Sequence, residues 1–139
     1  MVNLSTFSRH FEEFRKYISY LKELKKYKKE EILHEWYVYG LIERYFQLAI
    51  ECALSLGEQI ISNYGFRAPN HYRDIVYILG EKKVIPKRLS EEMSELAGFR
   101  NILVHGYTKI DRNLVYQHLQ KDISNLEQYA KHLAKFTKI

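Results

Sequence analysis

Apolar residues recur at steps of three and four along most of this chain, a spacing that places them on one face of an α-helix. Few residues that favour turns interrupt the pattern, because the 139 residues include only 6 glycines and 2 prolines. An all-β domain needs many tight turns, and glycine and proline are the residues that most often form them. The sequence therefore predicts an all-α fold.

The periodic pattern predicts four long helices and one short helix, joined by short connections. Their order and lengths are typical of an antiparallel four-helix up-and-down bundle with an additional short helix. The chain length suits a single domain over residues 1–139. The apolar stripes cover, in chain order, residues 7–24, 42–60, 75–79, 89–103 and 115–133.

Residues that favour helix ends divide the chain in the same way. The acidic pair Glu30 and Glu31 suits the start of the second helix, and Gly65 suits its end. Because no clear breaker lies between them, we expect this helix to exceed thirty residues. The remaining expected ends are Gly80 after the short helix and Asn70, Pro86 and Asp111 at the starts of the last three helices.

The second helix carries more apolar surface than one bundle face requires. Beside its core stripe runs a further stripe formed by Leu41, Tyr45, Leu48 and Cys52. A helix with two apolar stripes is either central in its bundle or shared with another chain. The pattern alone leaves both explanations open.

Cys52 is the only cysteine, so an internal disulfide framework is excluded and the cytoplasm is the expected compartment. The first residues lack the basic segment followed by an apolar stretch that marks a secretory signal. No run approaches the roughly 18 apolar residues needed to cross a bilayer. We therefore expect no membrane segment.

The chain is basic, with 22 Lys and Arg against 17 Asp and Glu and a formal net charge of +5. This excess suits an acidic partner such as nucleic acid without identifying one. Lysines concentrate in residues 22–29, interleaved with Tyr27 and preceded by Tyr20. Such a cluster either attracts a phosphate backbone or complements the dipole at the end of the first helix.

No motif for a metal or a nucleotide cofactor is recognisable. The 6 histidines include no pair at i and i+3 or i+4, and the single cysteine has no partner. The glycines never fall into the spacings that cradle phosphate groups. We therefore expect no metal site and no cofactor.

Residues 98–107 combine three chemically capable side chains where the fourth long helix ends: Arg100, His105 and Tyr107. Arginine offers a permanent planar donor fork for phosphate, and histidine titrates near neutral pH. Five residues correspond to about 140° of helix, so Arg100 and His105 converge only if the backbone leaves the helix near His105. A purely structural alternative is a salt bridge, a helix cap and a surface tyrosine.

Residues 100–107 read Arg-Asn-Ile-Leu-Val-His-Gly-Tyr, which resembles the Arg-x4-His-x-Tyr signature of HEPN-domain proteins, specifically the HepT toxin family. The resemblance extends over about residues 30–136. In chain order, residues 43–51 resemble the family's second-helix motif, 69–73 a Pro-x-x-Tyr-Arg segment, 84–86 a Val-Ile-Pro stretch and 110–111 an Ile-Asp pair.

The resemblance implies the toxin of a toxin–antitoxin pair, a metal-independent endoribonuclease that acts on RNA as a homodimer. It implies catalytic roles for Arg100 and His105 and a supporting role for Asn101. It also implies an MntA-type nucleotidyltransferase antitoxin that neutralises the toxin by transferring AMP onto Tyr107. The alternative is a non-catalytic module that binds nucleotide or docks the transferase.

The chemistry of the residues is compatible with this activity. Metal-independent RNA cleavage needs a base for the ribose 2′ proton, an acid for the leaving 5′ oxygen and positive charge near the phosphorus. One signature segment supplies a single histidine. We therefore expect a composite site in which two chains face each other, with the extra apolar stripe of the second helix as a candidate interface.

Overall fold

Six α-helices make up most of the part of the chain that the computed structural model describes, residues 4–106 and 110–138. No strand occurs within those two ranges, so the all-α prediction is confirmed. The helices are α1 (Leu4–Lys25), α2 (Lys29–His34), α3 (Trp36–Asn63), α4 (Tyr72–Glu81), α5 (Lys87–His105) and α6 (Arg112–Thr137).

The four long helices α1, α3, α5 and α6 form an up-and-down bundle, and contacts between them fix their directions. Lys25 donates to the carbonyl of Gln120, whereas Lys22, earlier in α1, reaches Glu127, later in α6. The two helices therefore run antiparallel. The same reversal of contacts relates α1 to α3 and α5 to α6. The predicted bundle topology is confirmed.

The expected second helix is divided in two, so the prediction of one helix longer than thirty residues is wrong. Glu35 is extended, with φ −80° and ψ 111°, and it both ends α2 and begins α3. The six-residue α2 buries Ile32 and Leu33, and Arg112 at the start of α6 donates to the carbonyl of Leu33 at 2.8 Å. Tertiary packing, rather than a glycine or proline, breaks the helix here.

Several helix ends agree with the sequence. Gly65 has φ +67°, the left-handed conformation that glycine adopts without steric cost. Asp111 caps α6 by accepting a hydrogen bond from the Asn113 backbone N–H at 2.9 Å. Pro86 is the residue that precedes α5. These three predictions are confirmed.

Two other predicted ends are wrong. His71, not Asn70, caps α4, because its Nδ1 accepts from the backbone N–H of Asp74 at 3.3 Å. Gly80 lies inside α4 and does not end it. A Cβ on Gly80 would lie 2.7 Å from Ser90 Oγ, so this glycine permits the close approach of α4 to α5.

The periodic apolar residues of the predicted stripes form the core. All of them are buried except Leu103, which is half-buried. The periodicity did not indicate Tyr129, which is fully buried at the centre of the bundle. Its hydroxyl donates to the carbonyl of Ala53 at 2.8 Å. Gly57 leaves room for that ring, because a Cβ there would lie 2.8 Å from the hydroxyl oxygen.

The extra stripe of α3 is divided between core and surface. Tyr45 packs against Tyr17 and Tyr20 of α1, with ring centroids 6.0 and 4.9 Å away. Cys52 is half-buried, and burial raises the pKa of its thiol to about 11. Leu41 remains 45% exposed. The central position of α3 therefore explains part of the stripe and leaves Leu41 available to another chain.

None of the helices in the described ranges is both long and apolar enough to cross a bilayer.

Candidate active site

Arg100, on the last third of α5, is held by a carboxylate from α3. Its Nη2 and Nε lie 2.9 and 3.3 Å from Glu51 Oε2, so one carboxylate oxygen accepts both bonds. Its Nη1 donates to Asn101 Oδ1 at 3.3 Å. The Arg100 side chain is 17% exposed, so these partners enclose most of it.

The start of α4 covers the same part of α5. The Tyr72 ring lies under the Arg100 guanidinium, with 5.1 Å between Cζ and the ring centroid, a cation–π arrangement. The next residue, Arg73, occupies the space where a Cβ of Gly98 would be. A larger residue at position 98 would displace the Arg73 guanidinium. Gly98 therefore leaves room for the Arg73 guanidinium against α5.

The inner side of the signature segment is fixed by Phe99. This ring is buried, packs edge-on against Phe46 and stacks on His118 of α6 with centroids 4.0 Å apart. His118 Nδ1 lies 2.6 Å from Asp122 Oδ2, whose other oxygen accepts from Asn125 at 2.9 Å. The buried Phe99 ring and the hydrogen-bonded side chains below it on α6 therefore fix the orientation of α5 next to Arg100.

His105 is the last residue of α5, and it is exposed. No hydrogen bond or ion pair between described residues involves its imidazole. Five residues correspond to about 7.5 Å along the helix axis, so His105 lies further toward the end of the bundle than Arg100. The structure brings Arg100 to Glu51 and Asn101 and leaves His105 accessible beyond them.

The next residue explains how the chain leaves the helix. The Gly106 backbone N–H donates to the Ile102 carbonyl at 2.8 Å. A Cβ on Gly106 would lie 2.6 Å from that carbonyl oxygen and 2.8 Å from Cγ1 of Ile110. The sequence pattern indicates no role for Gly106, whereas the structure leaves no space for a side chain there.

Tyr107, the expected acceptor of AMP, lies outside the described residues. Its assignment stays a prediction.

Basic residues of the first connection lie at the same end of the bundle as His105. Lys25 reaches α6 through the Gln120 carbonyl, and the Lys29 ammonium lies 5.1 Å from the Tyr116 ring centroid. Arg112 stacks 4.2 Å above the buried Tyr39 ring. The pKa of the Tyr39 hydroxyl is raised by burial. This end of the molecule therefore carries several basic side chains beside the signature segment.

The sequence predicted a supporting role for Asn101 but none for Glu51 and Tyr72, the other two side chains that contact the Arg100 guanidinium. Glu51 ends the matched stretch 43–51, and Tyr72 belongs to the Pro-x-x-Tyr-Arg stretch 69–73. Only the fold shows that the two stretches meet at one guanidinium. Within residues 4–106 and 110–138, no group of three or more His, Cys, Asp or Glu side chains is arranged to hold a metal ion.

A four-helix bundle with an Arg-x4-His segment at the exposed end of one long helix defines a HEPN-type protein. The chain belongs to the ribonuclease HepT-like family, whose family model matches residues 14–133.

Two relatives show the extent of the sequence similarity. The chain is 28% identical over 95 residues to YutE of Bacillus subtilis, a match that covers 68% of this chain and 66% of that protein. It is 25% identical over 83 residues to the mRNA nuclease HepT of Shewanella oneidensis, covering 60% of this chain and 62% of that protein. The matched part therefore spans just under two thirds of the length of each curated relative.

Solved structures resemble this chain more closely in fold than in sequence. The structure of cytosolic YutE from Bacillus subtilis gives a TM-score of 0.86 at 23% identity, covering 99% of this chain and 92% of that chain. A tri-AMPylated HEPN toxin of Shewanella oneidensis in complex with an MNT antitoxin gives 0.84 at 18% identity, covering 93% and 96%. These likenesses establish the bundle as a HEPN fold.

Proposed function

We propose that this protein is the toxin of a toxin–antitoxin pair, a metal-independent endoribonuclease whose cleavage site is shared by two chains. Arg100 and His105 of each chain contribute to that site, and Asn101 supports Arg100. The observation that carries the proposal is that the two signature side chains have different surroundings. Arg100 is oriented by Glu51, and His105 is exposed at the helix end. Family membership supports a ribonuclease activity.

The proposed reaction needs two proton transfers and one charged donor. One His105 takes the proton of the ribose 2′ hydroxyl, and the 2′ oxygen attacks the phosphorus to close a cyclic phosphate. The bond from phosphorus to the 5′ oxygen breaks, and the second His105 protonates the leaving oxygen. The Arg100 guanidinium donates to the non-bridging oxygens, where negative charge grows in the transition state.

A shared site requires an interface beside the signature segment. Leu41 on α3 and Ile102 on α5 are 45% and 41% exposed, although both are large and apolar. Gly40, next to Leu41, has open space around its Cα. Exposed apolar residues that flank the site are where a second copy can bury surface, and a two-fold axis there would bring the two His105 side chains together.

The proposal includes control by a nucleotidyltransferase antitoxin of the MntA type. Transfer of AMP onto Tyr107 places a bulky group with a negative phosphate two residues from His105. Charge repulsion and volume then exclude the phosphate of the RNA. Tyr107→Phe is expected to cleave RNA as the unmodified protein does and to resist neutralisation. Incorporation of labelled nucleotide into Tyr107→Phe would assign the acceptor to another residue.

Cleavage of a labelled single-stranded RNA in the presence of excess chelator tests the activity. The wild-type protein is expected to cleave, and Arg100→Ala and His105→Ala each to lose at least about 100-fold in kcat while remaining folded. His34→Ala is the matched control, because His34 is also an exposed histidine at a helix end. Absence of cleavage by the wild-type protein would instead favour a non-catalytic module that docks the transferase.

A further inference from the structure

A basic cavity lies at the end of α5 opposite His105, between the α4–α5 turn and the last turns of α6. Its volume is about 700 Å³. The charged or titratable lining residues are all basic: Lys83, Lys87, His132 and Lys135. None of the described lining residues is acidic. Val84, Ile85 and Phe136 form an apolar floor beneath the basic side chains.

The basic side chains of this cavity form no salt bridges with other described residues, although Lys87 also lines an adjoining pocket that contains Glu81 and Glu91. Among the described residues, none of the four basic side chains makes an ion pair or a side-chain hydrogen bond. Other lysines do so, for example Lys121, which contacts Glu92 and Glu95. Like charges gathered in a concave surface raise the local potential and attract anions. The lining of the cavity itself therefore favours negative charge.

The backbone of the α4–α5 turn places Lys83 beside the start of α5. Lys83 adopts the left-handed conformation with φ 58°, a region where glycine is favoured, and this turn leads directly into α5. The first turn of α5 contains no acidic residue, and Pro86 provides no side-chain cap. The positive end of the α5 dipole lies at this space, as do the negative ends of α4 and α6, so the basic side chains and not the helix dipoles favour an anion here.

The surface is suited to a phosphate backbone better than to a protein partner. Protein interfaces usually depend on large exposed aromatic or apolar anchors. None of the large apolar side chains that stand exposed in the described ranges lines the cavity. The floor is held in place from below, since the Phe136 ring packs against Tyr64 with centroids 4.8 Å apart. A charged rim over a fixed floor favours contacts to phosphate oxygens.

We propose that this cavity is an accessory binding site for the phosphate backbone of the RNA substrate. The inference rests on the proposed ribonuclease function. Lys87 and His105 lie at opposite ends of α5, which separates them by about 27 Å along the helix axis. The cavity therefore engages a part of the strand remote from the cleaved bond. It strengthens binding of long RNA and contributes nothing to an oligonucleotide too short to reach it.

The test compares two double variants that remove the same charge. Lys87→Gln/Lys135→Gln alters the cavity, and Arg9→Gln/Lys16→Gln alters exposed positions of α1 that do not line it. Binding of fluorescent RNA is measured in a His105→Ala background, and KM and kcat are measured with the active histidine. Binding in the inactive background does not require cleavage, so failure of the accessory site is distinguishable from failure of the proposed activity.

The cavity double variant is expected to weaken binding of long RNA about tenfold at low salt and to reduce the slope of log affinity against log salt by roughly 1. Its kcat and its affinity for the short oligonucleotide are expected to match those of the control. Lys83→Gly removes a third charge and relieves the left-handed backbone, so it should weaken long-RNA binding without lowering the melting temperature.

Unchanged long-RNA affinity in the cavity variants would overturn the proposal and leave an acidic protein segment as the class of partner. An equal loss in the Arg9→Gln/Lys16→Gln control would also overturn it, because the effect would then be one of net charge. Competition by inorganic phosphate at millimolar concentration for long RNA, absent in Lys87→Gln/Lys135→Gln, would support it, since both ligands share the phosphate group.

Discussion

Glu51 should act as a positioning residue for Arg100, and its removal should lower both the stability of the protein and its activity by a similar free energy. Glu51→Ala leaves the guanidinium with Asn101 and the Tyr72 ring as its remaining neighbours. Arg100 then has more rotamers, few of which point toward the phosphate. The expected result is a fall in kcat with little change in KM, because orientation matters most in the transition state.

The magnitude follows from the burial of the pair. The Arg100 and Glu51 side chains are 17% and 34% exposed, so the pair lies between a surface ion pair and a buried one. Surface pairs contribute about 0–1 kcal/mol, whereas loss of one partner from a buried pair costs about 3–5 kcal/mol. We therefore expect Glu51→Ala to lower the free energy of unfolding by about 1–2 kcal/mol. The same free energy spent on orientation corresponds to roughly a tenfold fall in kcat.

The assay combines steady-state RNA cleavage, which gives kcat and KM, with chemical denaturation. Glu51→Gln keeps an oxygen acceptor without the charge, so it should recover part of the activity that Glu51→Ala loses. Glu58→Ala is the matched control on the same helix, because Glu58 is exposed. The double variant Glu51→Ala/Arg100→Ala should be no less active than Arg100→Ala alone, since Glu51 acts through Arg100.

Equal kcat values for Glu51→Ala and Glu58→Ala would refute this reasoning. So would full additivity of the Glu51 and Arg100 variants in either activity or stability, because additivity means that the two side chains do not interact.

Two further predictions concern helix ends. Gly106→Ala should lower the unfolding free energy by about 1–3 kcal/mol and reduce RNA cleavage, because its Cβ would collide with the Ile102 carbonyl; thermal denaturation with a cleavage assay measures both. Hydrogen bonds from Arg67 lower the pKa of Asp74 from 3.8 to about 2. The stability this provides is present above the unfolded pKa of 3.8 and is lost as the pH falls toward 2; Asp74→Asn should abolish that part of the pH dependence of unfolding.

The fold was predictable because the information lies in local periodicity. Each long helix has one apolar face, and the structure buries these faces in the core of the bundle. The break at Glu35 was not predictable, because its cause is the packing of Leu33 against the start of α6 and no local breaker marks it. Tyr129 also escaped detection, since a tyrosine in a helix reads as a surface residue until its hydroxyl has a partner such as the Ala53 carbonyl.

Only those residues of the candidate site that lie close together in the sequence could be predicted. Arg100 and His105 stand out because they share one helix end. Their environment depends on residues far away in the chain: Glu51 is 49 positions from Arg100, and Phe99 stacks on His118 of the next helix. Such contacts arise from the register between helices, which periodicity does not specify.

Activity of a mixed dimer tests most directly whether two chains share one site. A dimer of one wild-type and one His105→Ala chain, isolated through two different affinity tags, is compared with a doubly tagged wild-type dimer. If one histidine is the base and the other the acid, loss of either should reduce cleavage at least about 100-fold. Retention of half the wild-type activity would mean that each chain cleaves independently and would contradict the composite site.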